Sequence, residues 1–363
     1  MTLPLEVFET LLKWYLTQRE NYFFRQNRTP YKVWISEVVL QQTRMQAALE
    51  PLERFLRQFP TLQQLHQASL ENVLHAFRGL GYYNRAKNLK KGADYLVEHF
   101  QGQFPSTYEE LRKIPSIGPY TASAIASICF AQPLPAIDGN LKRILSRLLR
   151  LNLPPNKLEK PARQILTPLY QQSQHHPGHL NEAFMELGQK ICTPKQPLCL
   201  FCPLQNYCQS HQTNTVAQYP PQTKTKKKVP VQWQLFLLTC NQHILLQKWK
   251  DFYFLKNHWG FPSKLHFPTN TKPNLLSWNN LNQYLHLARP LGTFRHTITH
   301  HEISAIVLHL PLERTPPLTP DLQWVPLPNV EKHITASAVK KAWNLYQTKT
   351  LANSIPSERK KNP

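Results

Sequence analysis

The sequence predicts a multidomain protein in which an all-α domain precedes an α+β domain. A chain of 363 residues is too long for one ordinary core. The first part carries helical patterns broken by proline and glycine, whereas strand-like, β-branched apolar runs appear only later. We therefore expect a helical domain at 1–212, a basic linker at 213–230, an α+β domain at 231–350 and a loose basic tail at 351–363.

The linker and the second domain follow from local composition. Residues 213–230 lose the apolar period and contain a run of three lysines between prolines, which is typical of an exposed connection. After it, the apolar runs 231–240 and 243–249 flank an Asn-Gln pair, and 302–310 is short, apolar and β-branched. These patterns predict strands.

The charge balance indicates a polyanionic partner. Lys and Arg number 43 against 21 Asp and Glu, which gives a net charge of +22. Such a surface attracts nucleic acid, although charge can also serve only to keep a protein in solution. The sequence lacks both a run of about eighteen apolar residues and a signal-peptide pattern, so we expect no membrane partner and a reducing, cytoplasmic location.

A candidate general acid lies in the segment RTPYKVWISEVVLQQTR, residues 28–44. Thr29 is suited to cap a helix and Pro30 to begin it. Glu37 then shares a helical face with the apolar Val33 and Trp34. Desolvation on that face raises a carboxyl pKa and favours a proton donor near neutral pH. The alternative is an ordinary solvated helix glutamate.

A second carboxylate follows a hairpin-like turn. The stretch 111–130 contains a Pro-x-x-Gly turn before a helix of small residues, and such a turn can direct backbone N–H groups at a DNA phosphate. Asp138 comes next, before a basic amphipathic helix. It either caps that helix or pairs with Glu37, so that one carboxyl is protonated and the other ionised beside an oxocarbenium-like centre.

Four of the six cysteines lie within seventeen residues, with the spacing C-x6-C-x2-C-x5-C. In a reducing compartment this pattern predicts a metal site rather than disulfides. Zinc usually takes two separated cysteine pairs, whereas four thiols in one loop favour a [4Fe–4S] cluster. Zinc remains the alternative. The predicted ligands are Cys192, Cys199, Cys202 and Cys208, and Cys129 and Cys240 read as core thiols.

Taken in order, several motifs together resemble the adenine DNA glycosylase (MutY) branch of the helix–hairpin–helix endonuclease III superfamily. The resemblance covers residues 20–210 nearly continuously. It includes the four-cysteine loop and the segments ISEVVLQQTR, GLGYYNRAKNL, IPSIGPYTA, IDGNLKR and NEAFMELGQKIC. It implies an all-α helix–hairpin–helix glycosylase with a [4Fe–4S] cluster, acting in base-excision repair on double-stranded DNA that contains A:8-oxoguanine or A:G mispairs.

The resemblance also implies catalytic roles. Glu37 would protonate the flipped adenine and then assist the attack of water, and Asp138 would stabilise the cationic sugar. Tyr120 matches the position at which bifunctional relatives carry a Schiff-base lysine, and a phenol cannot form an imine. A monofunctional glycosylase is therefore expected, with Lys142 as the nearest substitute amine.

Further positions match residues that hold the substrate in the family. Arg25 and Glu182 would line the adenine pocket, and Gln42 and Tyr82 would fill the stack beside the opposite base. For Tyr82 and its neighbour, the alternative is a pair of core tyrosines. The predicted substrate-binding set is Arg25, Gln42, Thr43, Tyr82, Asn140, Glu182, Thr299 and His300.

The second domain resembles the Nudix-like module of the same family, which implies recognition of 8-oxoguanine. HWGFPSK at 258–264 matches a Trp-x-Phe-Pro turn, and 294–308 matches a lesion-reading loop with the following strand. On that match Thr299 and His300 would contact the oxidised base. Phosphate hydrolysis is not expected, because residues 252–301 contain no Asp or Glu to bind Mg²⁺.

The chain departs from the family pattern at several places. Phe23 and Phe24 replace a Pro-Trp pair before Arg25, Ser116 replaces the first hairpin glycine, and Ile298 replaces an aromatic residue of the lesion loop. Residues 269–282 match nothing in the family. These differences affect the pocket wall, the phosphate-binding turn and stacking on the lesion.

Two other functions are compatible with parts of the pattern. One is a glycosylase of the same superfamily acting on mismatched thymine or uracil, or on an oxidised pyrimidine. The other is a DNA-binding iron-sulfur protein without catalysis, against which the presence of both Glu37 and Asp138 argues. A two-domain glycosylase can work as a monomer, which is the expected state.

Overall fold

The computed structural model describes residues 3–221, 227–250, 252–268, 286–315 and 318–354. The chain divides into two compact units, Met1–Lys224 and Thr225–Pro363. The unmatched stretch 269–282 lies outside the described residues.

The first unit is helical, as the sequence predicts, and no strand occurs among its described residues. Short 3₁₀ turns, including one at Phe23–Arg25, connect several helices. Its helices are α1 (Glu6–Gln18), α2 (Pro30–Leu40), α3 (Met45–Gln58), α4 (Leu62–Gln67), α5 (Leu70–Ala76), α6 (Asn84–Phe100), α7 (Tyr108–Leu111), α8 (Pro119–Phe130), α9 (Gly139–Leu148), α10 (Glu159–Gln172), α11 (Pro177–Lys190) and α12 (Gln209–Gln212).

Two apolar clusters support the first unit. One joins α2 to α8 and is built around fully buried rings, among them Trp34, Phe55 and Phe77. The other joins α1 to α9, α10 and α11 around Phe8 and its ring neighbours. Helices α8 and α11 also contact each other. The two clusters therefore adjoin along the helices that follow the hairpin and precede the cysteine loop.

The predicted linker at 213–230 is too long at both ends. A 3₁₀ turn at Val216–Gln218 continues the helical unit, and Arg147 donates a hydrogen bond from Nε to the Tyr219 carbonyl at 3.0 Å. At the other end, β1 begins at Val229, because this residue pairs with His301 in the sheet. Composition alone does not reveal these backbone contacts.

The second unit combines a mixed sheet with helices, which confirms the α+β prediction. Among the described residues the strand order is β3-β2-β1-β6-β5, with β4 on β1 and β7 on β2, and only β1 and β6 are parallel. The elements are β1 (Val229–Cys240), β2 (His243–Lys248), β3 (Trp259–Gly260), β4 (Ser263–His266), β5 (Arg289–Ile298), β6 (His301–Pro311), β7 (Leu322–Pro326), α13 (Val330–His333) and α14 (Ser337–Ser354).

The core of this unit lies between the sheet and α14. Its large buried side chains include Trp233, Trp249, Phe261 and Trp343. The Trp233 ring packs against Trp249, and the Phe261 ring packs against Trp343. Helix α14 extends to Ser354, so the first residues of the predicted tail at 351–363 are helical rather than loose. The polar composition of 351–363 concealed the last turn of this helix.

None of the helices in the described residues has both the length and the apolar character needed to cross a bilayer.

Gly92 in α6 tests the packing of the first cluster. A Cβ atom there would lie 2.5 Å from the Pro115 carbonyl oxygen and 2.7 Å from the Trp34 ring. We expect Gly92→Ala to lower the free energy of unfolding by about 1–3 kcal/mol through overpacking. Urea denaturation measures the change, with Lys91→Ala on the exposed side of the same helix as the matched control. Equal stability of the two variants would contradict this packing.

Candidate active site

Helix α2 positions Glu37 as the sequence predicts. The Thr29 side chain accepts a hydrogen bond from the Lys32 N–H, and Pro30 begins the helix; such a cap contributes about 1 kcal/mol. Glu37 is partly buried and accepts a 2.5 Å hydrogen bond from the Tyr120 hydroxyl to its Oε2. Burial raises the Glu37 pKa to about 7 against the opposing effect of that bond. The alternative of an ordinary solvated glutamate is therefore wrong.

Asp138 both caps α9 and faces the same site. Its Oδ1 accepts from the Leu141 N–H at 2.7 Å, and its Oδ2 accepts from Asn140 Nδ2 at 2.8 Å. Burial raises its pKa, while these hydrogen bonds act in the opposite direction. The negative charges of Asp138 and Glu182 contribute to the raised pKa of Glu37. The predicted helix cap is therefore present, and the Asp138 charge also acts on Glu37.

The Tyr120 hydroxyl lies between Glu37 on α2 and Met185 on α11. The residue lies in the first turn of α8, donates to Glu37, and has its hydroxyl 3.5 Å from Met185 Sδ. Burial raises the Tyr120 pKa well above its ordinary value, with the Glu37 charge adding to the effect. The phenol is therefore held protonated, as a hydrogen-bond donor.

An ion-pair cluster surrounds Glu182 on α11. Arg28 Nη2 lies 2.7 Å from its Oε1, Arg25 Nε lies 3.6 Å away, and Tyr15 donates to its Oε2 at 3.0 Å. Arg25 also donates to Glu186 at 2.8 Å. The structure therefore brings together the two predicted residues. It adds two that the sequence reasoning missed, Arg28 and Glu186.

The aromatic residues before Arg25 form one packed group. The Tyr22 and Phe24 rings are stacked with centroids 5.2 Å apart, and Phe23 meets Phe24 edge to face at 5.5 Å. The Arg25 guanidinium lies 5.1 Å from the Tyr22 ring centroid. The family's Pro-Trp pair is thus replaced by a wall of three rings that supports the arginine.

Asn140, another predicted residue, lies in a polar network. Arg143 donates from Nη2 to the Asn140 side-chain oxygen at 2.9 Å and to the Gly188 carbonyl at 2.8 Å. It also donates from Nε to the Cys192 carbonyl at 2.8 Å. A Cβ at Gly188 would lie 2.5 Å from the Asn140 Cβ, so glycine is required for this approach. Asn140 therefore orients Asp138 and is itself oriented by Arg143.

Gln42, Thr43 and Tyr82 lie on two neighbouring turns. Gln42 and Tyr82 both adopt left-handed backbone conformations, with φ of 57° and 47°. Tyr82 is 57% exposed, whereas Tyr83 is buried. The alternative that both tyrosines belong to the core is therefore wrong for Tyr82, whereas Tyr83 is a core residue. Thr43 accepts a hydrogen bond from Arg85 at 3.2 Å, a residue that the sequence reasoning did not single out.

The hairpin turn accommodates Ser116 with a left-handed φ of 73°. This conformation is costly for a residue with a Cβ atom. The serine hydroxyl accepts a 2.9 Å hydrogen bond from the Trp34 indole N–H. The position thus has the backbone that favours glycine, with a side-chain contact that glycine would lack.

The four predicted cysteine ligands line one small apolar pocket, together with Leu187 and Leu204. All four are free thiols, and Arg147 Nη1 lies 3.3 Å from Cys192 Sγ. Among the described residues, no three His, Cys, Asp or Glu side chains converge closely enough to hold a single metal ion. Of the other thiols, Cys240 is buried as expected, whereas Cys129 is only half-buried because it lies near the end of α8.

In the second unit, Thr299 and His300 form the two-residue turn between β5 and β6. Thr299 is exposed, has a φ of 55° and donates from its hydroxyl to the Ile298 carbonyl at 2.7 Å. The next residue, His301, is buried against the rings of Tyr253 and Phe254. The turn is thus presented on an aromatic support, although Ile298 itself is not aromatic.

Comparison with known proteins defines the class to which the chain belongs. Residues 35–168 match the model of the HhH-GPD superfamily base excision DNA repair proteins. A solved structure of a thermostable thymine-DNA glycosylase, 22% identical, shares the fold with a TM-score of 0.53 over 57% of this chain and 96% of its own. The protein is a DNA glycosylase of the helix–hairpin–helix type.

The particular family follows from relatives that this chain matches over about three quarters of their length. The adenine DNA glycosylase of Buchnera aphidicola (subsp. Schizaphis graminum) is 34% identical over 76% of this chain and 78% of its own. The human adenine DNA glycosylase is 30% identical over 96% of this chain and 76% of its own. The chain belongs to the adenine DNA glycosylase family, as the sequence motifs predict.

The raised pKa of Glu37 makes a prediction about stability. Folding favours the protonated carboxyl, so this contribution is complete below the unfolded pKa of about 4.5 and is lost as pH rises through about 7. Glu37→Gln removes the ionisation while it keeps an acceptor for Tyr120. We expect the stability of the variant relative to the unsubstituted protein to increase between pH 5 and pH 8, by roughly 3 kcal/mol at most.

Urea denaturation at pH values across that interval measures the difference, with the exposed Glu98→Gln in α6 as the matched control. A stability difference that does not change with pH would contradict the burial of an ionisable Glu37.

Proposed function

We propose that the protein hydrolyses the N-glycosidic bond of adenine mispaired with 8-oxoguanine or guanine in double-stranded DNA. The carrying observation is that Glu37, with a pKa of about 7, shares a site with Asp138 in a chain of the adenine DNA glycosylase family. One carboxyl can deliver a proton at neutral pH while the other stabilises a cation. The surroundings of each carboxyl, rather than its residue type, determine which of the two roles it takes.

In this proposal Glu37 protonates the departing adenine and then assists water. Its Oε2 is occupied by the Tyr120 hydroxyl, which leaves the other oxygen to deliver the proton. Asp138 supports the positive charge that develops on the deoxyribose, and its two hydrogen bonds hold the carboxylate in place. Protonation of a leaving base and electrostatic support of the sugar cation are complementary demands.

Hydrolysis without strand cleavage is supported by the amines near the site. Tyr120 cannot form an imine, and the Lys142 ammonium is 3.0 Å from the Glu159 carboxylate. A lysine held in an ion pair with a carboxylate is a poor nucleophile. We therefore propose a monofunctional enzyme.

The target adenine must leave the stack, since its glycosidic bond is inaccessible in a duplex. Exposed Tyr82 and the adjacent Gln42 turn are suited to occupy the space that an extruded base leaves. The ion-pair cluster of Arg25 and Glu182 supplies polar groups for a base edge. Thr43 accepts a hydrogen bond from Arg85 beside the Gln42 turn, and Asn140 donates one to Asp138. These contacts support the proposed substrate-binding set.

The second unit is proposed to read the base opposite the adenine through Thr299 and His300. Both lie on a turn between long strands, and the Thr299 side chain is exposed. The absence of Asp and Glu from 252–301 favours contact with a polyanion over phosphate hydrolysis. The alignment with the human relative, over 96% of this chain, supports a shared role for this unit.

The cysteine loop is proposed to hold a [4Fe–4S] cluster. Four free thiols around one pocket fit a compact cluster better than a single zinc ion, which requires all four sulfurs within about 2.3 Å of one point. The ligands would be Cys192, Cys199, Cys202 and Cys208. The cluster would hold the loop that carries Lys195 against DNA phosphate.

Free thiols of this kind require a reducing compartment, which supports a cytoplasmic location. One chain carries every proposed group, which supports a monomer.

The curated relatives argue against another target base or a non-catalytic role. The thymine-specific structure shares the fold at 22% identity, whereas relatives with 30–34% identity over most of their length are named adenine DNA glycosylases. The presence of both carboxyls in one site favours catalysis over DNA binding alone.

A glycosylase assay tests the proposed function. We expect adenine release from A:8-oxoguanine and A:G duplexes and none of the thymine from T:G. Glu37→Gln should lower the single-turnover rate by about 10²–10⁴-fold, because it removes the proton donor. Strand cleavage should appear only after alkali. The exposed Glu98→Gln is the control, and undiminished release by Glu37→Gln would refute the mechanism.

The cofactor is tested by analysis of the purified protein. We expect iron and acid-labile sulfide, with broad visible absorption, and both should be lost in Cys199→Ser together with folding and DNA binding. Cys129→Ala, which removes a thiol outside the loop, should retain the iron. Zinc in place of iron would overturn the assignment.

A further inference from the structure

Arg85 occupies an unusual electrostatic position. It lies in the first turn of α6, where the helix dipole disfavours a cation, and that turn contains no acidic residue. Burial lowers its pKa to about 10. In the part of the chain that the structure describes, no carboxylate forms an ion pair with it, and its Nε is buried without a hydrogen-bond partner. A buried, uncompensated charge requires a physical explanation.

The first half of the explanation is the end of α2. Arg85 Nη1 lies 3.0 Å from the Val38 carbonyl, 2.8 Å from that of Val39 and 2.5 Å from that of Gln41. The last carbonyls of a helix have no partner within the helix and carry its negative dipole end. The guanidinium therefore caps the C-terminal end of α2, the helix that carries Glu37.

The second half is the turn that carries Tyr82. Arg85 Nη2 lies 3.0 Å from the Leu80 carbonyl and 3.4 Å from that of Gly81. The guanidinium carbon is 5.5 Å from the Tyr82 ring centroid. On the same nitrogen, the Thr43 hydroxyl accepts at 3.2 Å. One side chain thus bonds to both turns that the proposed function directs into the duplex.

Both turns need such support. Gln42 and Tyr82 hold left-handed conformations without being glycine, and each such residue costs about 1 kcal/mol or more unless its surroundings fix it. The planar fork of arginine satisfies several carbonyls at fixed angles, which the point charge of lysine does not do. The hydrogen bonds of the planar guanidinium, and not its charge alone, therefore stabilise the left-handed conformations of Gln42 and Tyr82.

We propose that Arg85 is a positioning residue that fixes the Gln42 turn and the Tyr82 turn at one separation, so that both enter the DNA together when adenine is extruded. The inference rests on the proposed function, because only in that function do both turns enter the duplex and need a fixed separation. It differs from a fold-stabilising role in that the fork should matter more for base extrusion than for duplex binding.

The test uses the full chain with its native cofactor and duplexes in which 2-aminopurine replaces the target adenine opposite 8-oxoguanine. Fluorescence of 2-aminopurine reports unstacking, and Glu37→Gln in the background prevents excision. Arg85→Lys keeps the charge and loses the fork. Lys91→Met, on the exposed face of the same helix, is the matched control.

We expect Arg85→Lys to reduce the unstacking signal at saturating DNA and to lower the single-turnover excision rate about ten-fold or more in the Glu37 protein. Affinity for an undamaged duplex and its salt dependence should stay unchanged, as for Lys91→Met. Retained unstacking, or an equal loss of unstacking and of undamaged-duplex affinity, would overturn the proposal.

Hydrogen exchange of the unsubstituted protein keeps the proposal testable if Arg85→Lys does not fold. Segments 38–43 and 80–83 should gain protection together when mispaired DNA binds, and protection of only one would overturn the proposal. Failure of the proposed function itself would appear differently, as absent adenine release by the unsubstituted protein.

Discussion

The Glu37 carboxyl lies between helices of two apolar clusters, and its protonation depends on both of them. Helices α2 and α8 place it beside the Tyr120 hydroxyl, whereas α9 and α11 contribute the negative charges of Asp138 and Glu182. Burial and like charge raise its pKa together. If either cluster loosened, water would reach the carboxyl and favour its ionised form, so the raised pKa of Glu37 depends on the packing of the whole helical unit.

The carboxyls of this region are separated by their partners. Glu182 is paired with Arg28 and Arg25, and the hydrogen bonds of Lys190 and Arg25 lower the pKa of Glu186 although burial acts in the opposite direction. Glu37, by contrast, has a neutral phenol as its hydrogen-bond partner. Arg25, Arg28 and Lys190 therefore pair with Glu182 and Glu186, and none of these three cations forms an ion pair with Glu37 in the described part of the chain.

Local patterns in the sequence predicted much of this arrangement. The Thr29-Pro30 start, the Asp138 cap and the cysteine spacing are short-range signals, and each of the first two appears in the structure as expected. Long-range partners were not predictable in the same way, because Arg85, Arg143 and Arg28 act through carbonyls or carboxylates distant in sequence. One signal was available, since Glu182 and Glu186 are four residues apart and share a helix face.

The linker boundaries show the same limit. Tyr219 belongs to the helical unit because Arg147 binds its carbonyl, and Val229 belongs to the sheet because of its pairing with His301. Backbone groups carry no sequence identity, so contacts of this kind cannot be read from composition. The boundaries of a compact unit therefore depend on backbone contacts that motif spacing does not contain.

The two roles of the Asp138 carboxyl limit which residues can replace it. The hydrogen bond from the Leu141 N–H begins α9, and the same carboxyl faces the site. Asparagine could still cap the helix but would lose the negative charge, and glutamate would keep the charge but is a poorer cap. Under the proposed function, helix capping and catalysis therefore depend on the same carboxyl group, so either substitution would impair one of the two.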